Sequence, residues 1–292
     1  MTIAQLVPLA LQLSMVLIIF CVALNARFRD VAFLWRRPRL LVRSLVSMLV
    51  VMPVFAVLMA LWFDLNPAVE LALVASALAP VPPILPSRQL QAGGASSYVV
   101  GLLTTTALVS ILYVPLAAAL VGDVFHRVVT VSTANVAQIV ATSMLLPVLA
   151  GMAVHRWLPA LARRIDRPLS IAATVSLTAA CVPILIREWP DMNRLVGNFS
   201  VVAMAVFALV GLAVGHWLGG PEPGERSVLA MATAARHPAV ALAITHNAID
   251  RPGVMAAVLM TLLVGSVVAV PYVKWRRRSR EAALARDRAR SS

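Results

Sequence analysis

The chain has 292 residues, 61% of them hydrophobic and only 13% charged, with a mean hydropathy of +0.89. A soluble domain is about half apolar and about a quarter charged, so the composition excludes one and requires a lipid environment. The net charge of +13 would suit a nucleic-acid binder, but the basic residues gather in short loops and the tail without interleaved aromatics, and topology accounts for them.

Nine apolar segments of about 20 residues, the length an α-helix needs to cross roughly 30 Å of hydrocarbon, follow near residues 5–25, 42–62, 67–91, 95–121, 133–155, 168–187, 198–218, 226–249 and 254–275. The fold class expected is an all-α polytopic membrane protein forming one membrane domain. The first segment lacks a basic leader and is followed at once by Arg27, Arg29, Arg36 and Arg37, which reads as a retained span rather than a cleaved signal peptide. Cys21 and Cys181 fall inside spans and read as small buried residues. Trp62, Trp157, Trp189, Trp217 and Trp275 fall at span ends, where an amphipathic indole sits at headgroup level.

With the N-terminus outside, the inner loops and the tail hold twenty Lys or Arg, whereas the outer loops hold four, Arg127, Arg187, Arg194 and Arg251. The positive-inside rule therefore sets the N-terminus outside and the basic tail, residues 276–292, in the cytoplasm, with a bacterial inner membrane as the expected location. Asn66 and Pro67 read as N-cap and first residue of the third span, with Glu70 in its first turn against the helix dipole.

Two spans are interrupted. The third contains "ALAPVPPILPSRQLQAGG", Ala77 to Gly94, in which Pro80, Pro82, Pro83 and Pro86 each remove a helical hydrogen bond. Its first half-helix is expected to end near Ala79 and a second to start near Ser87, and the extended backbone between them must face protein or a watery cavity. The eighth, "SVLAMATAARHPAVALAITHN", is broken by Arg236, His237 and Pro238. An arginine at a helix centre costs about 2.5 to 3.5 kcal/mol on insertion scales and marks a functional candidate. Pro238 fits the first position of a new half-helix whose unpaired N–H groups, with Arg236 beside them, make a positive locus near the midplane.

Spans three and eight are five apart and run in opposite directions, which is the sign of an inverted repeat and points to a secondary transporter with a midplane site. Arg236, His237 and Pro238, with Pro83, Pro86, Ser87 and Gln89 of the first break and Asn135 and Gln138 of span five, form the candidate substrate site. Plainer meanings stand beside several of these. Arg88 near the inner end of its span can snorkel to the interface, Ser87 can serve as an N-cap, and Asn135 and Gln138 can bond between helices. His246 and Asn247 read as the end of span eight.

These two stretches, together with "FRDVAFLWRRPRLLVRSLVSMLVVMPVFAVL" from Phe28 to Leu58, the Met52-Pro53 pair, "SALAPVPP" and "QAGG", resemble the bile acid:sodium symporter family over roughly residues 10 to 275. The resemblance implies a core domain, spans 42–121 and 198–275, carrying two crossing discontinuous helices, and a panel domain, spans 5–25, 133–155 and 168–187. It also implies transport of a small organic anion such as a bile acid, pantoate or pyruvate, often with sodium. The family's sodium-site residues are replaced here. Leu85 and Pro86 stand in place of a Ser-Asn pair, Ala95 in place of an acid, and Ala232, Arg236 and His237 in place of Glu, Gln and Asn. A carboxylate is lost and a cation gained, which argues against sodium coupling, with the hydroxyls of Thr104, Thr105 and Thr106 left as weak sodium candidates and a proton as the other coupling ion.

The reading is a secondary active transporter of small organic anions, whose partners are that anion and the bilayer, with no cofactor, nucleic acid or obligate protein partner implied. An enzyme would need a catalytic set, but no HExxH or paired-Asp motif occurs and His126, His155, His216, His237 and His246 are dispersed. The alternative from another class is a non-transporting membrane receptor or accessory protein on the same fold.

Overall fold

The computed structural model describes residues 3–79, 90, 94–124, 131–245 and 253–291, and every element among them is a helix. In chain order these are α1 (Ile3–Ala23), α2 (Phe28–Val31), α3 (Pro38–Leu45), α4 (Met52–Trp62), α5 (Pro67–Leu78), α6 (Ser96–Val124), α7 (Thr133–Val140), α8 (Leu146–Trp157), α9 (Pro159–Leu195), α10 (Ser200–Leu218), α11 (Pro223–Ala234), α12 (Pro238–Thr245) and α13 (Val254–Ser291). The π-helical turns Val46–Val51 and Ala141–Leu145 join α3 to α4 and α7 to α8, making the continuous helices Pro38–Trp62 and Thr133–Trp157.

Helices stand at all nine positions expected from hydropathy. Among the described residues seven are long and apolar enough to cross a membrane, and two shorter apolar helices, Leu9–Ala23 and Pro67–Leu78, stand at the first and third positions. Two helices run well past their expected spans. Helix α9 begins at Pro159 rather than near residue 168 and runs to Leu195 rather than near residue 187; at its start, Ala, Leu and Arg of the charged segment are good helix formers and Pro159 sits at the N-terminal position that tolerates it. Helix α13 does not stop near residue 275 but runs through the basic tail, where Arg277 and Glu281 pair one turn apart at 3.0 Å.

At α5, the side-chain oxygen of Asn66 accepts the Ala68 N–H at 2.9 Å and Pro67 opens the helix, the cap and first position read from the sequence. Such a cap contributes about 1 kcal/mol. The five tryptophans at span ends are all exposed.

Helix α1 packs against α8 and α9, with Ile18, Ala173 and Leu177 in a small cluster of their own. The larger core gathers α10, α11, α13, α5 and α12. Its tightest seam is between α10 and α11. Gly211, Gly215 and Gly219 recur every four residues and so share one face of α10, and a Cβ on Gly211 would lie 2.7 Å from the Ala234 Cα. The backbones touch because no side chain stands between them, which is how apolar helices gain contact when lipid is as apolar as they are.

The loop before α3 and the start of α11 meet at an ion pair. Glu225, in the first turn of α11 and nearly enclosed, accepts from the half-exposed guanidinium of Arg37. Gly220 turns the chain there with φ +84°, a conformation that favours glycine.

Candidate functional site

Helix α11 ends because Pro238 cannot donate an N–H and drives the residues before it away from helical geometry. Ala235 is extended at φ −110° and ψ 148°, and its N–H closes the last turn on the Met231 carbonyl at 3.1 Å. The chain passes through Arg236 and His237 and turns helical again at Pro238, the His237 carbonyl accepting the Ala241 N–H at 3.1 Å. The break expected at Arg236 to Pro238 is therefore present.

Helix α5 likewise stops at Leu78, with Ala79 extended at φ −74° and ψ 145°. The run from Ala72 to Ala79 is wholly buried, and α5 packs against α12, the half-helix beyond the other break. Thus the first half of one interrupted span packs against the continuation of the other. Pro83, Pro86, Ser87 and Gln89, with the rest of the Pro80 to Pro86 stretch, lie outside the described residues.

Arg236 is 2% exposed and His237 1%. None of the three guanidinium nitrogens of Arg236 has a hydrogen-bond partner among the described residues, and Nδ1 of His237 has none either. Nε2 of His237 lies 3.3 Å from Oγ of Ser143. Glu225 cannot neutralise Arg236 through α11, since eleven residues separate them, about 16 Å along a helix, and Arg37 already engages it. A guanidinium enclosed without a counter-charge costs several kcal/mol unless something pairs with it.

The π-helical turns fix the surroundings of this cation. Pro53 has no N–H, so the Leu49 carbonyl four residues earlier loses its α-helical partner, and the Tyr113 hydroxyl of α6 donates to it at 2.5 Å. The widened turn carries Ser47, which shares a hydrogen bond with Thr233 in the last turn of α11. Pro147 stands in the same relation to the second widened turn, which carries Ser143. Two buried serines on π-helical turns therefore hold the broken span on either side of Arg236, Ser47 through Thr233 before it and Ser143 through His237 after it. π-Bulges of this kind recur at functional sites.

The remaining expected residues divide. Asn135 and Gln138 are exposed on α7, where the Asn135 N–H is capped by Ser132 Oγ at 3.4 Å and the Gln138 carbonyl accepts the Thr142 hydroxyl at 2.8 Å. Neither shares the enclosure of Arg236. The hydroxyls of Thr104 and Thr106 turn back on the Val100 and Leu102 carbonyls at 2.9 Å and 2.7 Å. Thr105 alone of the three keeps a buried oxygen without a partner among the described residues. Among those residues no group of three His, Cys, Asp or Glu could hold a metal ion. Ser47, Ser143, Thr233 and Tyr113 were not legible as site residues from sequence, because each acts through a neighbour distant in the chain; the one local signal was a proline a turn or more after each serine.

The profile of the Sodium Bile acid symporter family matches residues 12–189, more than half of the chain. The matched region contains α5 and both π-helical turns and ends before α11, so the Arg236 break lies beyond it. No curated protein matches the chain.

Proposed function

Because the chain belongs to the sodium bile acid symporter family, a family of membrane transporters, we propose that it carries small organic anions and that Arg236 receives the anionic group. The observation that carries this reading is the enclosed guanidinium of Arg236, unpartnered among the described residues, at the break between α11 and α12. A planar fork of N–H donors matches a carboxylate or sulfonate, and the α12 N-terminus beside it adds partial positive charge. The ligand supplies the counter-charge that the described residues lack. His237, held at Nε2 by Ser143, leaves Nδ1 to the same site.

Transport needs one group of helices to move against another around such a site. Helices α1, α8 and α9 pack together, as do α5, α10, α11, α12 and α13; we assign the first group, with α7, to a panel domain and the second, with α3, α4 and α6, to a core domain. The basic loops set the N-terminus outside and the tail in the cytoplasm. Reporter fusions after Ala60 and after Ala160 should read outside and inside respectively; the reverse pattern overturns the orientation.

Sodium coupling is not supported by the residues present, since the Arg236 guanidinium lies at the site and, among the described residues, Thr105 alone of Thr104, Thr105 and Thr106 keeps an unpartnered hydroxyl. Full-length protein in proteoliposomes is expected to take up a labelled monocarboxylate such as pyruvate or pantoate equally well in sodium and in potassium. Strictly sodium-dependent uptake would contradict the coupling reading. Anion binding without flux in either salt would instead identify a receptor on this fold.

A further inference from the structure

At the far end of α11 from Arg236, an open cavity of about 620 Å³ lies between the start of α3 and the loop that leads into α11. Its charged lining is Arg37, Arg39 and Arg43 on one wall and Glu222 and Glu225 on the other. These charges are not equivalent. Glu225 is engaged by Arg37, and Glu222 sits at the N-cap of α11, where it compensates that helix's own dipole. Arg39 and Arg43 form no ion pair among the described residues, and the first turn of α3 contains no acid to offset the N-terminus of the helix Pro38–Trp62. Behind the opposite wall, Arg226 is held on the Gly220 carbonyl at 2.7 Å, and Arg276 on Ser227 Oγ at 2.8 Å and the Pro223 carbonyl at 2.6 Å, which adds further positive charge.

We propose that this cavity binds the phosphodiester headgroup of an anionic phospholipid. Arg39 and Arg43 are one helical turn apart, so both guanidinium groups can reach the same phosphate, with the first free N–H groups of α3 beside them. The headgroup, rather than a free anion, follows from what adjoins the cavity. Val42, Val46, Val50 and Val54 continue from Arg39 and Arg43 along the same helix and are all exposed, giving an apolar ridge for acyl chains. Exposed Trp35 just before α3 and Trp275 near Arg276 mark the interfacial level. Basic pockets between membrane helices at this depth are suited to anionic headgroups. The site stands apart from Arg236 and does not depend on what the transporter carries.

The test compares melting temperatures of the detergent-purified full chain after adding phosphatidylglycerol, phosphatidylcholine or inorganic phosphate, and counts retained lipid by native mass spectrometry. Phosphatidylglycerol at tenfold over its Kd is expected to raise the melting temperature by about 3 °C relative to phosphatidylcholine, with one lipid retained per chain. The Arg39→Gln/Arg43→Gln variant should melt like wild type in phosphatidylcholine, because both side chains are exposed, and should lose the shift and the retained lipid. The Arg277→Gln/Arg278→Gln variant, which lowers the charge of the tail equally, should keep both. The proposal is overturned if the shift survives in the first variant, if phosphatidylglycerol and phosphatidylcholine act alike on wild type, or if inorganic phosphate alone reproduces the full effect.

Discussion

Arg236→Ala is expected to abolish anion uptake while leaving the protein folded. The two halves of that expectation have separate grounds. The guanidinium is enclosed, and among the described residues it donates to nothing, so truncating it removes no visible structural bond. It also relieves the desolvation of an unpaired charge, and the melting temperature of the substrate-free protein should stay level or rise. Uptake should behave oppositely. A charge-assisted, two-pronged contact in a low-dielectric cavity contributes on the order of 3 kcal/mol, so its loss should weaken anion affinity roughly 100-fold. Arg236→Lys keeps the charge but not the fork and should retain a fraction of the flux. Flux assays and thermal melts on the same preparations check both halves. Unaltered uptake in Arg236→Ala would remove this residue from the site, and a collapsed melt would make it a structural cation instead.

The part of this site that was legible in the sequence is the part that acts locally. A proline abolishes its own N–H whatever surrounds it, so the break at Arg236 to Pro238 could be placed from three residues. Asn66 and Pro67 start α5 by the same kind of local chemistry. Hydropathy is equally local, and helices stand at all nine expected positions. Helices α9 and α13 outrun their expected spans because charge marks the membrane boundary but not the helix boundary, and Arg, Ala and Glu keep a helix going in water. What could not be read was pairing across the chain. Ser47 meets Thr233 and Ser143 meets His237 because α11 and α12 lie between two π-helical turns, and nothing near either serine names its partner. Asn135 and Gln138 show the same limit: polarity in an apolar span suits either a bond between helices or a cavity lining, and only the fold shows that both are exposed on α7.

The seam between α10 and α11 carries that geometry, and Gly215→Ala tests it. Alanine is the better helix former by about 1 kcal/mol, so on propensity alone the change would stabilise α10. The approach of α11 reverses the sign. A Cβ at this position would lie 2.5 Å from the Leu229 carbonyl oxygen and 2.6 Å from the Ala230 Cα, both backbone atoms that no rotamer change can withdraw. The helices must separate, losing contact along a stripe that also includes Gly211 and Gly219, and such overpacking costs about 1 to 3 kcal/mol or more. A net loss on the order of 2 kcal/mol, seen as a melting temperature lower by roughly 5 °C, is expected. The consequence reaches the site, since Gly211 on the same stripe faces Ala234, two residues before Arg236, and displacement there should lower uptake as well. Gly265→Ala is the control. On α13 its Cβ would meet the Ala208 Cβ at 3.8 Å, an ordinary contact, so this variant should melt at or slightly above the wild-type temperature. If Gly215→Ala melts with Gly265→Ala, α11 does not ride against α10 as closely as described, and the support for the broken helix must come from elsewhere.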